Sequence, residues 1–133
     1  MTTQVFVDTS YWIARINPRD QWHQKATELS SSLQDTFLTT SYEVLIELLN
    51  YFSGYGPVMR QAAVAIVCHI MDDPNISVSR GSFDEGLILF QSRLDKGYSM
   101  TDCLSMSIMR RYNLMEVLTH DHHFAQEGFV TLL

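Results

Sequence analysis

The stretch "QVFVD", residues 4–8, is a short apolar run rich in Val and Phe that stops at a carboxylate. β-Branched and aromatic residues with no polar alternation mark a strand buried on both faces. Working outward, short runs at 37–39, 76–79, 116–119 and 129–132 read as further strands. Helical spacings fill the intervals at 11–16, 21–33, 41–52, 57–71, 82–94 and 101–112. Asp20 is placed to cap the second of these helices, and Pro57 opens the fourth at its first position. Thr40 with Glu43, and Ser82 with Glu85, have the spacing of capping boxes. Strands alternating with helices predict an α/β fold, a three-layer α/β/α sandwich on a central parallel sheet of four to five strands.

The 133 residues fit a single domain over 1–133, and 46% of them are hydrophobic, enough for a core. "SGYGP" at 53–57 and "DDPN" at 72–75 read as loops inside that domain. No apolar run is long enough for a membrane span, and the start "MTTQVFVD" lacks the features of a secretory signal. Cys68 and Cys103 form no metal-binding spacing, so a reduced, cytoplasmic protein is expected. The formal charge of −6 argues against a general basic coat for nucleic acid. Acids gathered to hold cations would contribute to such a balance.

In parallel sheets the ligand crevice lies outside the carboxyl ends of the strands, at the point where strand order reverses. Asp8 ends the first strand and Asp121 follows the fourth. Glu47 lies in the second turn of the helix after strand two, and Asp102 in the first turn of the helix near Thr101. These acids, from separate parts of the chain, can converge on one edge. Each also has a structural reading: Asp8 as a turn former, Asp102 as the partner of Ser99 in a capping box. Glu43 has a structural task through Thr40, whereas Glu47 has none. Buried like charges need a counter-ion, so convergence predicts a bound cation.

The blocks "VFVDTSYW", "TSYEVLIELLN", "YSMTDCLSMSIMRRYNL" and "VLTHDHHFAQEGF" resemble, in order, the signature blocks of PIN-domain ribonucleases, and most of all the VapC-type toxins. The resemblance implies a PIN-like nuclease domain and Mg²⁺- or Mn²⁺-dependent hydrolysis of single-stranded or loop RNA. It implies a homodimer and a cognate antitoxin as partner. Carried over by motif, Asp8, Glu47, Asp102 and Asp121 are the catalytic and metal-holding acids. Thr9, Ser10 and Thr119 match the accompanying hydroxyl residues. His120, His122 and His123 depart from the family's pattern and receive no role from it.

The run "THDHH" poses the question of zinc. Neighbouring loop residues rarely all point inward, and an all-carboxylate set suits Mg²⁺ or Mn²⁺ better than zinc. His122 and His123 are therefore expected to turn out of the cleft towards Phe124. Arg15, Arg19, Arg110 and Arg111 are candidate RNA contacts, although Arg110 and Arg111 equally suit a solvated helix end. Tyr11, Trp12 and Trp22 could stack bases, but their spacing fits core or interface better. Competing classes are another Mg²⁺-dependent phosphoryl-transfer α/β protein and a non-catalytic PIN-like binding module. The first lacks a D-x-D phosphatase motif after strand one, where the chain reads Asp8-Thr9-Ser10. The second does not account for all the acids.

Overall fold

In the computed structural model, which describes residues 3–133, the first strand lies at the centre of the sheet. The chain runs β1 (Gln4–Val7), α1 (Thr9–Ile16), α2 (His23–Ser32), β2 (Phe37–Ser41), α3 (Tyr42–Tyr51), α4 (Gly56–Asp72), β3 (Ile76–Ser79), α5 (Phe83–Ser92), α6 (Met100–Arg111), β4 (Glu116–Leu118), α7 (His122–Gln126) and β5 (Val130–Thr131). The five strands lie in the order β3-β2-β1-β4-β5, and every pairing is parallel. This is the helix-flanked parallel sheet expected from the alternation of apolar runs.

The apolar run of β1 is explained by its position. Val5, Phe6 and Val7 are at most 2% exposed, although alternate side chains point to opposite faces. Both faces are therefore covered, and each such side chain contributes about 1.5–3 kcal/mol by burial. Leu48, Phe52, Met106, Ile108 and Phe124 complete the surrounding core. Tyr11 and Trp12 belong to it as well.

Several ends differ from the sequence reading. Thr40 does not cap α3, because β2 extends through Ser41 and Thr40 is still strand; its hydroxyl donates to the Val7 carbonyl at 3.0 Å. Ser41 is the cap, accepting from the Val44 N–H at 3.1 Å. Glu43 reaches across instead and accepts from the Gly81 N–H at 2.8 Å. Asp20 forms a turn with the Trp22 N–H, so α2 starts later than expected. The short α7 was not foreseen at all. At the end of α6, Asn113 takes φ 56°, and the Leu114 N–H closes on the Met109 carbonyl at 2.8 Å. With the Asn113 N–H on Arg110 this is a Schellman termination, with Asn in the place glycine usually fills.

Glu127, just past α7, is tied to distant elements. Arg93 grips its carboxylate through Nε at 2.8 Å and Nη2 at 3.1 Å, Arg110 donates to it, and the Tyr98 hydroxyl adds a bond at 3.1 Å. Only 4% of the Glu127 side chain is exposed. Burial alone would raise this carboxyl, but the bonds from Arg93, Arg110 and Tyr98 outweigh it and hold it at about 2. Ordinary glutamate titrates near 4.5, so the folded state gains from the charged form above that pH. The gain disappears as pH falls from about 4.5 to 2. Glu127→Gln should therefore cost on the order of 2 kcal/mol at pH 7. Urea denaturation across pH should show the gap to wild type closing below pH 3; a constant gap would show that charge is not what Glu127 contributes.

Candidate active site

The chain runs from β1 to β2 and β3 on one side and then to β4 and β5 on the other, so strand order reverses between β1 and β4, and the crevice opens there. Phe6 pairs with Val117 and Val7 with Leu118, and the Asp8 N–H extends the ladder to the Leu118 carbonyl at 3.1 Å. The residues after each strand, Asp8 and Thr119, thus meet side by side. A cleft of about 510 Å³ is lined by Asp8, Glu47, Asp102 and Asp121, with Thr9, Ser10 and the three histidines 120, 122 and 123 also on its wall. A depression of about 410 Å³ at the β2–β3 side is lined by Phe37, Asn75 and Tyr112 and, among the described residues, has no acid on its wall.

Asp8 occupies the N-cap position of α1, but its carboxylate makes no capping bond. It accepts instead from the Thr119 hydroxyl at 2.8 Å. Ser10 Oγ lies 2.9 Å from Thr119 Oγ1 and 3.4 Å from the carboxylate. Burial pushes the Asp8 carboxyl up to about 7, and the neighbouring Asp102 and Glu47 charges add to this against the Thr119 bond. Asp102 is both helix cap and cleft residue. Ser99 Oγ accepts from the Asp102 N–H, and the Asp102 carboxylate accepts from the Ser99 N–H, each at 3.0 Å. Burial again raises its carboxyl, with Asp121 and Glu47 contributing. Asp121 caps α7 through the His123 N–H at 3.0 Å, and its own N–H donates to Thr119 at 3.0 Å. Glu47 is half-buried on α3 and faces the same space.

Among the described residues, no lysine or arginine lines the cleft. Arg15 donates to the Tyr11 hydroxyl at 3.3 Å, and Arg19 is exposed. Arg110 is engaged by Glu127, and Arg111 pairs with Glu85 at 3.0 Å. Converging acids without basic side chains, one of them almost fully buried, fit a hard divalent cation held by oxygen.

Of the two histidines expected to leave the cleft, His122 does point to solvent but His123 does not. α7 begins directly after Asp121, and its first turn carries the His123 ring back over the acids. His123 Nδ1 lies 3.2 Å from Asp121 Oδ1 and 3.6 Å from Asp102 Oδ2. His122 is on the rim with its side chain 75% exposed. His120 stacks on Trp22 with centroids 5.0 Å apart and planes 13° apart. The sequence reading missed this because it lacked α7. The Asp121-x-His123 spacing, an N-cap two residues before a first-turn side chain, was the available signal.

A five-stranded parallel sheet with acids from separate segments gathered at its carboxyl edge agrees with the resemblance of the sequence to PIN-domain proteins. Within that class the resemblance runs to the VapC type. The chain is 29% identical over 129 residues, 95% of either chain, to the 23S rRNA-specific endonuclease VapC20 of Mycobacterium tuberculosis. The crystal structure of VapC20, described as a sarcin–ricin loop cleaving toxin, superposes with a TM-score of 0.82 at 28% identity, covering 95% of this chain and 96% of that one. The fold is shared with VapBC2 from Rickettsia felis, bound to a promoter DNA fragment, at TM-score 0.66, 14% identity and 98% of each chain. It is shared also with FitAcB from Neisseria gonorrhoeae at TM-score 0.68, 11% identity, 97% of this chain and 96% of that one. No protein-family profile matches the sequence. The chain is a PIN-fold protein related to a VapC-type endonuclease over nearly its full length.

Burial of Asp8 carries a stability cost in the metal-free protein. Its folded carboxyl titrates near 7 rather than 3.8, so the charged form destabilises the fold progressively between those values and fully above 7. Asp8→Asn should raise the metal-free melting temperature at pH 8 by several degrees, on the order of 2 kcal/mol. Scanning calorimetry should show the difference vanish at pH 4; an equal or lower melting temperature at pH 8 would refute the assigned strain.

Proposed function

We propose that this chain is a divalent-metal-dependent endoribonuclease that hydrolyses phosphodiester bonds in single-stranded or loop RNA. The observation that carries this reading is the convergence of Asp8, Glu47, Asp102 and Asp121 on a cleft lined by no lysine or arginine among the described residues, in a chain related to VapC20. The relative's substrate makes the sarcin–ricin loop of 23S rRNA the first RNA to try. The solved VapBC2 complex supports a cognate antitoxin as partner, and hence a toxin role in a cytoplasmic setting. A homodimer belongs to the same reading.

Asp8, Asp102 and Asp121 would hold Mg²⁺ or Mn²⁺. When bound, the cation neutralises charge on the phosphoryl oxygens and lowers the pKa of a water. The chain's own residues do the rest. Thr119 fixes the Asp8 carboxylate by its 2.8 Å bond, and Ser10 sits beside it to meet a phosphate oxygen. Ser99 locks the Asp102 carboxylate, so the acids are oriented before substrate arrives. Glu47, half-buried on the facing helix, orients the attacking water and accepts its proton. The His120–Trp22 stack at the rim offers a flat surface for a base. Arg15 and Arg19 remain the candidates for phosphate contact outside the cleft.

Incubation with a stem-loop RNA and Mn²⁺ or Mg²⁺ should give internal cleavage that EDTA abolishes. Asp8→Asn, Asp102→Asn and Asp121→Asn should each reduce turnover at least about a hundredfold, on the order of 2.7 kcal/mol. Cleavage that persists through exhaustive chelation, or through all three substitutions in folded protein, would defeat the proposal.

Sedimentation at micromolar concentration should give about twice the 15.3 kDa chain mass. A species of single mass throughout would remove the homodimer from the reading.

A further inference from the structure

We infer that His123 supplies its Nδ1 as a nitrogen ligand to the cation held by Asp102 and Asp121, making the centre a mixed nitrogen–oxygen site that favours Mn²⁺ over Mg²⁺. The inference rests on the metal-dependent reading above. The first observation is an unfilled valence: His123 Nδ1 is buried and makes no hydrogen bond among the described residues. Leaving such a nitrogen unpaired costs about 1–3 kcal/mol, so its position is explained best by a partner still to bind.

The second is spacing. Two donors at right angles on one ion, each about 2.1 Å from it, lie about 3 Å apart. His123 Nδ1 stands 3.2 Å from Asp121 Oδ1, close to that value, and 3.6 Å from Asp102 Oδ2, a little over half an ångström beyond it. Neither contact qualifies as a hydrogen bond. The carboxylates have separate anchors, Ser99 for Asp102 and the His123 N–H for Asp121, so the ring is not needed to fix them.

The third is that the ring is held in place. Tyr98 packs against it with centroids 5.3 Å apart and His122 at 4.4 Å, while its N-terminal turn is fixed by the Asp121 cap. His122 serves as an internal control. Its Nδ1 is 3.9 Å from Asp121 Oδ1, and its side chain is 75% exposed. Imidazole is a favourable ligand for first-row transition ions and a poor one for Mg²⁺, which prefers oxygen and retained water. One nitrogen donor therefore shifts the preference towards Mn²⁺.

The test loads the full chain with Mn²⁺ and reads pulsed electron paramagnetic resonance for directly coordinated nitrogen, with ¹⁵N-histidine labelling to identify the source. Wild type and His122→Gln should show histidine nitrogen coupling, and His123→Gln should lose it. The Mn²⁺ to Mg²⁺ affinity ratio from calorimetry should fall about tenfold in His123→Gln. Bound Mn²⁺ with oxygen coupling alone in wild type would overturn the inference and leave the metal-dependent reading standing; this is the outcome if the ring acts only as a charge towards the acids. Coupling that survives in His123→Gln would also overturn it. Failure of the wild type to bind Mn²⁺ would overturn both.

Discussion

The parallel pairing of β1 with β4 is the constraint on which the rest depends. These strands are far apart in the chain, and nothing local brings them together. What does so is burial: Phe6, Val7, Val117 and Leu118 pair in this register and are inaccessible to water. A slip by one residue would turn each apolar side chain to the other face. With Val7 beside Leu118, the next residues out are fixed too, and Asp8 meets the Thr119 hydroxyl. The β1–β2 pair does the same on the other side, where Thr40 bonds the Val7 carbonyl and α3, following β2, carries Glu47 in its second turn on the crevice wall.

The molecule treats its carboxylates in two opposite ways. Glu127 is surrounded by Arg93, Arg110 and Tyr98, which hold it ionised. Asp8 is buried next to further acids and receives hydroxyls, from Thr119 and Ser10. The first arrangement clamps the end of α7 onto the neighbouring helix region. The second leaves a demand for positive charge that the chain does not meet with side chains. These are complementary: α7 carries Asp121 at its start and is fastened by Glu127 just past its end, so the favourable cluster positions the unfavourable one.

Much of this was legible in the sequence, for identifiable reasons. A buried parallel strand must be apolar throughout, so β1 declared itself, and the rule that ligands bind at carboxyl ends turned scattered acids into one site. What failed were claims resting on single spacings. Thr40-x-x-Glu43 has capping-box form, yet strand pairing continued one residue further and moved the cap to Ser41. The opposite case, Ser99-x-x-Asp102, proved to be a real box without excluding Asp102 from the cleft. The turn of helix after Asp121 was too short to leave a periodicity, and His123 was misplaced with it. The Glu127 cluster was invisible because its partners lie on other elements and no local pattern announces them.

The double duty of Asp102 bears on how such a protein can change over generations. Its carboxylate closes the first turn of α6, the most deeply buried helix, while also facing the cleft. Losing it gives up a helix cap as well as any chemistry. Asp8 caps no helix with its carboxylate, which is held by hydroxyls, and its removal relieves a buried charge. A descendant released from selection for activity would thus be drawn to shed Asp8 early and keep Asp102 long afterwards. The acids would then decay in an order set by folding, and a relative with Asp102 intact but Asp8 gone would be better read as a retired enzyme than as one with altered chemistry.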